Sequence, residues 1–228
     1  MHEVSLLSAY LTNPREGHLE AAIPIFGYLK HNYKKKLAFD SEHPRINEKR
    51  LNRYDWYDFY RDAKEAIPTN APQPSGNAVS THCFVDASLG NNRLTRRSHM
   101  GVLIFVNKAP IQRLSKRTNT VEVSTFGSEI VALRNAVEMI ESLRYKLPMF
   151  GELLGGPTNV FCDNEAVTKN CSIPESTLQK KHHSINYHRN REAVAAETIR
   201  NLEDAFTKVL PVVTRNALFD CFMYYCRL

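Results

Sequence analysis

Apolar residues at helical spacing characterise the first 31 residues of the chain, and we predict that this region is helical. The clearest apolar stripe consists of Leu19, Ile23, Phe26 and Leu29. Pro24 lies inside this stripe and predicts a kink or a break, because proline removes a backbone donor and clashes with the preceding turn. Residues 54–68 alternate acidic and aromatic side chains, which indicates a short amphipathic helix packed on the main body.

A different pattern begins near residue 79, where short apolar runs alternate with turns. It predicts three strands whose short connections favour antiparallel pairing, at residues 80–89, 98–107 and 110–117. A long helix is predicted over residues 124–147, because one apolar stripe recurs there at spacings of three and four. Ser124 or Thr125 is expected to cap this helix, and Pro148 is expected to end it.

The last third of the chain alternates strands with helices. A fourth strand is predicted at residues 159–162, ending on Asp163, and a helix is predicted from about Pro174 through residue 196. A fifth strand near residue 199 and a helix over residues 202–210 complete the pattern. The order β-β-β-α-β-α-β-α predicts an α/β fold in which three antiparallel strands come first and parallel strands extend the sheet.

The composition of the chain indicates two regions joined by a linker, and it bears on the cellular location. Residues 68–78 are rich in Pro, Asn, Ser and Gly and predict a linker between a charged helical region, residues 1–67, and an α/β domain, residues 79–214. Residues 215–228 form an apolar tail to which we assign no function. Because the longest apolar run is too short to span a bilayer and no signal peptide is evident, we expect an intracellular protein of the cytoplasm or nucleus.

Charge and cysteine content narrow the class of partner. Lys and Arg number 30 against 24 Asp and Glu, giving a net charge of +6, which favours a polyanionic partner. The five cysteines show no C-x-x-C pair, which is typical of reduced intracellular thiols. We expect no membrane partner and no small-molecule cofactor.

Four acidic residues stand at positions of the predicted elements where sites are often built: Asp86 on the first strand, Glu129 in the first turn of the long helix, Asp163 at the end of the fourth strand, and Asp204 at the start of the last helix. If the first and fourth strands are neighbours, the first three acids converge. Clustered carboxylates repel one another and favour a counter-cation such as Mg²⁺. Scattered surface acids, with Asp163 serving as a helix cap, are the alternative.

The motifs of the chain resemble the C-terminal part of copia-type retrotransposon polyproteins, where the end of the reverse transcriptase precedes a ribonuclease H domain. The motifs that carry this resemblance are "CFVDAS", "SKRTNTVEVSTFGSEIVAL", "NVFCDNEAV", "KKHHSINYHRNRE" and "LEDAFTKVLP". The resemblance implies a ribonuclease H-like five-stranded mixed sheet flanked by helices, with a helical N-terminal arm left over from the reverse transcriptase connecting region.

The resemblance also implies a function. Asp86, Glu129, Asp163 and Asp204 would bind Mg²⁺, with Mn²⁺ as a substitute, and two such ions would hydrolyse the RNA strand of an RNA–DNA hybrid. The implied partners are that hybrid or another nucleic acid, together with other products of the polyprotein. "FVDA", residues 84–87, lacks the adjacent aspartates of a polymerase site, so we expect no polymerase activity.

Two groups of basic residues are the candidate contacts to phosphate groups. The first group, in the opening strands, consists of Arg96, Arg97, Lys116 and Arg117. The second group consists of Lys180, Lys181, His182 and Arg189, and a solvated basic helix is its alternative interpretation. No Cys or second His pair stands at ligand spacing near these histidines, so we expect no zinc site there.

Departures from the family pattern leave a second function open. Asp86 is followed by Ala87 and Ser88, where the family usually has a second acid, and several residues are missing before Asp204. A strand rises about 3.3 Å per residue, so the shortened segment is expected to displace or disorder Asp204 once the fifth strand pairs. The alternative is therefore a catalytically inactive retroelement remnant that at most binds nucleic acid.

Overall fold

Five strands form one mixed sheet at the centre of the computed structural model, which describes residues 2–34, 37–44, 54–92 and 95–202. The strand order is β3-β2-β1-β4-β5. The strands are Thr81–Ser88 (β1), His99–Val106 (β2), Ala109–Arg117 (β3), Thr158–Cys162 (β4) and Ile199–Leu202 (β5).

The pairing within the sheet follows the predicted scheme. β1 pairs antiparallel with β2, and β2 pairs antiparallel with β3. β4 joins the other edge of β1 in parallel, and β5 joins β4 in parallel. The predicted mixed five-stranded sheet is confirmed, and the first and fourth strands are neighbours, which was the condition for the convergence of the acids.

Helices flank this sheet and extend from its N-terminal side. Their bounds are His2–Ser8 (α1), Glu16–His31 (α2), Tyr57–Tyr60 (α3), Thr125–Met149 (α4), Glu165–Ser172 (α5) and Ser184–Ala195 (α6), with a 3₁₀ turn at Lys181–His183. α4 lies against β1 and β2, and it buries the apolar stripe that predicted it. The core formed in this way includes Cys83, Val85, Ile130, Leu133, Ile140 and Val160.

Three expectations about helix boundaries were wrong. The helix expected from Pro174 begins at Ser184, because residues 174–180 follow an irregular path. Pro148 lies inside the last turn of α4, which ends one residue later. Glu129 lies in the second turn rather than the first, since the helix starts at Thr125 and one turn takes 3.6 residues.

The N-terminal helices also depart from expectation. α2 runs through Pro24 without a break, because a proline in an exposed helix removes one hydrogen bond whose carbonyl can be solvated. The stripe that predicted α2 is exposed, with side-chain exposures of 69% at Leu19 and 68% at Phe26. Within the described residues, helical periodicity therefore identified the helix correctly without identifying a buried face.

Segments before the sheet are tied to it by specific contacts. Ser5 Oγ donates to the carbonyl of Ser115 on β3 over 2.9 Å. Glu65 receives two hydrogen bonds, of 2.5 and 2.8 Å, from the buried guanidinium of Arg144 on α4. The region assigned to the first domain thus contacts the second, and the division at residues 68–78 stays a prediction.

Two predicted segments belong to the end of the chain. The predicted last helix with Asp204, and the apolar tail at 215–228, lie outside the described residues. β5 pairs with β4 up to Leu202, so the fifth strand itself forms despite the short segment. Among the described helices, none has the length and apolar character needed to cross a membrane.

Candidate active site

The parallel pairing of β1 with β4 brings two acidic residues to one edge of the sheet. Val85 lies opposite Cys162 in this pairing. Asp86 and Asp163 each follow by one residue, and neighbouring strands are about 4.8 Å apart. Both carboxylates are exposed, so this edge is accessible to solvent.

Glu129 reaches the same edge from α4. Ser124 caps the helix by accepting a hydrogen bond from Gly127 N over 3.2 Å, which fixes the start of α4 and the side of the helix that carries Glu129. The carboxylate accepts a hydrogen bond of 3.1 Å from Ala87 N, directly after Asp86. Glu129 is 4% exposed, so α4 holds a buried acid between the ends of β1 and β4.

The electrostatic environment of Glu129 links all three acids. Burial, followed by the charges of Asp163 and then Asp86, raises the pKa of Glu129 to about 8. Among the described residues, no basic side chain is one of the main influences on this pKa. The arrangement is thus a crowded set of carboxylates whose ionised form is costly without a cation.

Cys162 is a member of this cluster that we did not predict from the sequence. Single ligand atoms of Glu129, Cys162 and Asp163 all lie within 4.8 Å of one another. Burial raises the pKa of the Cys162 thiol, so the sulfur stays protonated and donates weakly to Glu129 over 3.9 Å. Its place at the end of a buried strand, directly before Asp163, is the signal that sequence reasoning had available.

The donor set suits a hard divalent cation. Carboxylate oxygens are the ligands that Mg²⁺ and Mn²⁺ prefer, and the exposed Asp86 and Asp163 leave room for the waters that Mg²⁺ retains. A cation would also relieve the repulsion that raises the pKa of Glu129. The assignment of Asp86, Glu129, Asp163 and Asp204 as metal ligands stays a prediction, and Asp204 lies outside the described residues.

The first basic group lies near the same edge of the sheet. Strand register places Lys116 opposite Met100 and Arg117 opposite His99, and these residues of β2 pair with Ala87 and Ser88 of β1. Arg96 and Arg97 precede β2 at that end. Lys116 and Arg96 are exposed, as a phosphate contact requires.

The second basic group is divided by its contacts. Lys180 donates to Ser124 Oγ over 2.8 Å, so this part of the group lies beside the start of α4. Arg189 forms ion pairs with Glu141 and Glu192, and a phosphate contact would have to break them. Arg191, in the same segment, is buried and is not available to a phosphate group, whereas Lys181 and His182 are exposed.

The raised pKa of Glu129 predicts a pH-dependent stability. At a pH below its ordinary pKa, Glu129 is protonated in both the folded and the unfolded state. As the pH rises towards 8, the carboxyl ionises in the unfolded state but stays protonated in the folded state, so the free energy of unfolding falls. We therefore expect metal-free Glu129→Gln to become progressively more stable than the parent up to about pH 8. Urea unfolding in chelator across this range measures the difference, and a gap independent of pH would contradict it.

The chain is similar to several known proteins. No protein-family model matches the chain. Among solved structures, LC11-RNase H1 superposes with a TM-score of 0.44 at 14% identity, covering 63% of this chain and 92% of that one. The solution structure of the PFV RNase H domain gives 0.41 at 15% identity, covering 64% and 93%.

The mixed five-stranded sheet, its strand order and its flanking helices give this part of the chain a ribonuclease H-like fold. Among the homologues of the chain are the retrovirus-related Pol polyproteins from the copia-type transposons RE1 and RE2 of Arabidopsis thaliana. Each is 27% identical over 143 residues, which cover 59% of this chain. The matched region spans only 10% of either polyprotein.

Proposed function

We propose that this domain hydrolyses the RNA strand of RNA–DNA hybrids with the help of bound divalent cations. The observation that carries the proposal is the position of the buried Glu129, which accepts a hydrogen bond from Ala87 N beside Asp86 and has a ligand atom within 4.8 Å of one of Asp163. Burial and these two acids raise its pKa accordingly. If Glu129 had only a structural role, a neutral residue at its position would give a more stable fold. A site that binds cations needs the charge that this arrangement retains.

The residues of the cluster have separate tasks in this proposal. Asp86, Glu129 and Asp163 hold Mg²⁺, or Mn²⁺ in its place, and Asp204 is the fourth proposed ligand. The bound ions would activate a water molecule and stabilise the leaving oxygen of the phosphodiester. Ala87 N orients Glu129 by its hydrogen bond, and the buried Cys162 thiol closes the inner side of the cluster.

The proposed substrate follows from the position of the basic residues and from the similarity to retroelement proteins. The backbone of a hybrid would lie across the edge that carries Lys116, Arg117, Arg96 and Arg97. The ribose 2′-hydroxyl is the group that distinguishes RNA from DNA at such a site. One solved structure similar in fold is LC11-RNase H1 in complex with an RNA/DNA hybrid.

Cleavage of defined duplexes tests this function. The protein is incubated with end-labelled RNA–DNA hybrid, double-stranded DNA and double-stranded RNA of one sequence, with Mg²⁺ or with chelator. We expect cleavage of the RNA strand of the hybrid only, and only with Mg²⁺. Binding of the hybrid without cleavage would overturn the proposed hydrolysis and would favour the inactive remnant.

Salt dependence tests the basic edge independently of cleavage. We expect the double variant Lys116→Gln/Arg117→Gln to bind the hybrid more weakly and to flatten the slope of log affinity against log salt by about 2, since each lost phosphate contact releases about one counterion fewer. Lys146→Gln, an exposed lysine in the last turn of α4, is the matched control. Equal slopes in both variants would show that Lys116 and Arg117 do not contact the nucleic acid.

A further inference from the structure

A second cluster of potential metal ligands lies beside the start of α4, apart from the acids at the sheet edge. Glu122 precedes this helix, and His182 and His183 lie in the 3₁₀ turn that leads into α6. One ligand atom from each of the three side chains lies within 4.8 Å of the others. The cluster combines a carboxylate with two imidazoles, a donor set that suits Zn²⁺ and related transition metals rather than Mg²⁺.

The closest pair in this cluster has the spacing of two ligands on one ion. Glu122 Oε2 lies 3.4 Å from His183 Nε2. Zinc bonds to nitrogen and oxygen of about 2.1 Å at a tetrahedral angle place two ligand atoms about 3.4 Å apart. The other oxygen of Glu122 accepts a hydrogen bond of 2.7 Å from Thr120 Oγ1, which orients the carboxylate as outer partners of metal ligands do.

His183 supplies a second, independent indication of a ligand. Its side chain is 2% exposed, and its Nε2 atom has no hydrogen-bond partner within the described part of the chain. A buried polar nitrogen without a partner costs free energy that a bound ion would recover. The nitrogen is directed at Glu122, and that contact lacks the geometry of a hydrogen bond.

Gly127 keeps the space between these two side chains open. A Cβ atom at this position would lie 2.7 Å from Glu122 Oε2 and 2.8 Å from His183 Nε2. Both distances are shorter than any ordinary contact, so a residue larger than glycine would force the carboxylate and the imidazole apart. Gly127 therefore offers a way to disturb the cluster without removing a ligand.

We propose that Glu122, His182 and His183 form a binding site for a divalent transition metal of the Zn²⁺ class. Three protein ligands leave the fourth tetrahedral position to water. The exposed His182 completes the set, because one of its ring nitrogens lies within 4.8 Å of the ligand atoms of Glu122 and His183. Our sequence expectation of no zinc site considered only residues near the histidines, and Glu122 is far from them along the chain.

The site would fasten the beginning of α4 to the segment before α6. His183 packs edge-on against Phe126 in the first turn of α4, the helix that carries Glu129. Lys180 Nζ bonds Ser124 Oγ nearby, so its positive charge opposes the ion and limits its affinity. We therefore assign the site a stabilising role.

Titration with Co²⁺ alone tests the site, because tetrahedral Co²⁺ absorbs visible light whereas octahedral Co²⁺ absorbs weakly. The protein is held in excess Mg²⁺ to saturate the proposed carboxylate site at Glu129. We expect one equivalent of tetrahedral Co²⁺, displaced by Zn²⁺, and a rise in melting temperature on adding Zn²⁺. Glu129→Gln should retain the signal, which separates this site from the proposed active site.

Three variants and a control locate the ion. Glu122→Gln, His182→Asn and Gly127→Ala are each expected to weaken Co²⁺ binding at least tenfold and to abolish the rise in melting temperature. His31→Asn, an exposed histidine in the last turn of α2, should bind as the parent does. Absence of a tetrahedral signal in the parent, or equal affinity in the parent, Glu122→Gln and His182→Asn, would overturn the proposal.

Discussion

Glu129→Gln is expected to reduce Mg²⁺-dependent cleavage of an RNA–DNA hybrid by roughly a hundredfold or more, the usual loss when an electrostatic contribution to the transition state is removed. Glutamine keeps the size of the side chain and can still accept the hydrogen bond from Ala87 N. It removes the charge that would hold the proposed cation. Initial rates at saturating Mg²⁺ measure the effect.

A matched variant separates loss of the site from general damage to α4. Glu138→Gln changes an exposed acid on the same helix that pairs with Arg134 at the surface. Its cleavage rate should stay within twofold of the parent. If both variants cleave equally well, Glu129 has no part in the reaction; if neither variant nor the parent cleaves, the domain is the inactive remnant that the sequence departures left open.

Arg191→Ala is expected to destabilise the domain by about 3 kcal/mol or more, because it leaves several carbonyls without their donor, at about 1–3 kcal/mol for each buried group left unsatisfied. The guanidinium is 2% exposed and donates to the carbonyls of Asn170, Ile173, Pro174 and Ser176. It also lies 4.8 Å from the ring centre of Trp56 and 4.7 Å from that of Tyr187. One side chain thus holds α3 and the irregular path before α6 to the core.

Urea unfolding of Arg191→Ala beside Arg134→Ala measures this contribution. Arg134 forms an exposed pair with Glu138, and such pairs contribute about 1 kcal/mol at most. Arg191→Lys is expected to lose most of the same stability, because an ammonium cannot serve four carbonyls in one plane. A loss in Arg191→Ala no larger than in Arg134→Ala would show that the carbonyls find other partners.

The two kinds of residue in these predictions differ in how they were found. Glu129 was assigned from the sequence, because it lies on a predicted amphipathic helix and within a motif that resembles copia-type polyproteins. Arg191 stood in a stretch that favoured either a solvated or a phosphate-binding helix. Basic side chains within one short segment look equivalent in a sequence, and only packing separates the buried Arg191 from Arg189, which pairs with Glu141 at the surface.

The sequence by itself determined most elements of this protein and their order along the chain. Period-two and period-3.6 patterns are local properties, and short connections favour antiparallel pairing of the first three strands. The approach of Asp86 to Asp163 depended on the condition that β1 and β4 are neighbours, which the tertiary structure decided. Helix boundaries were less predictable, because the start of α6 depends on an irregular segment that Arg191 holds in place.

Only the tertiary structure decided the chemistry of individual side chains. The pKa of Glu129 depends on burial and on two acids from other elements, and the approach of Glu122 to His183 depends on α4 lacking a side chain at Gly127. The exposure of Leu19 and Phe26 in α2 is a further example. Periodicity shows which residues share a face, whereas the partner of that face is set by contacts between segments that are distant in sequence.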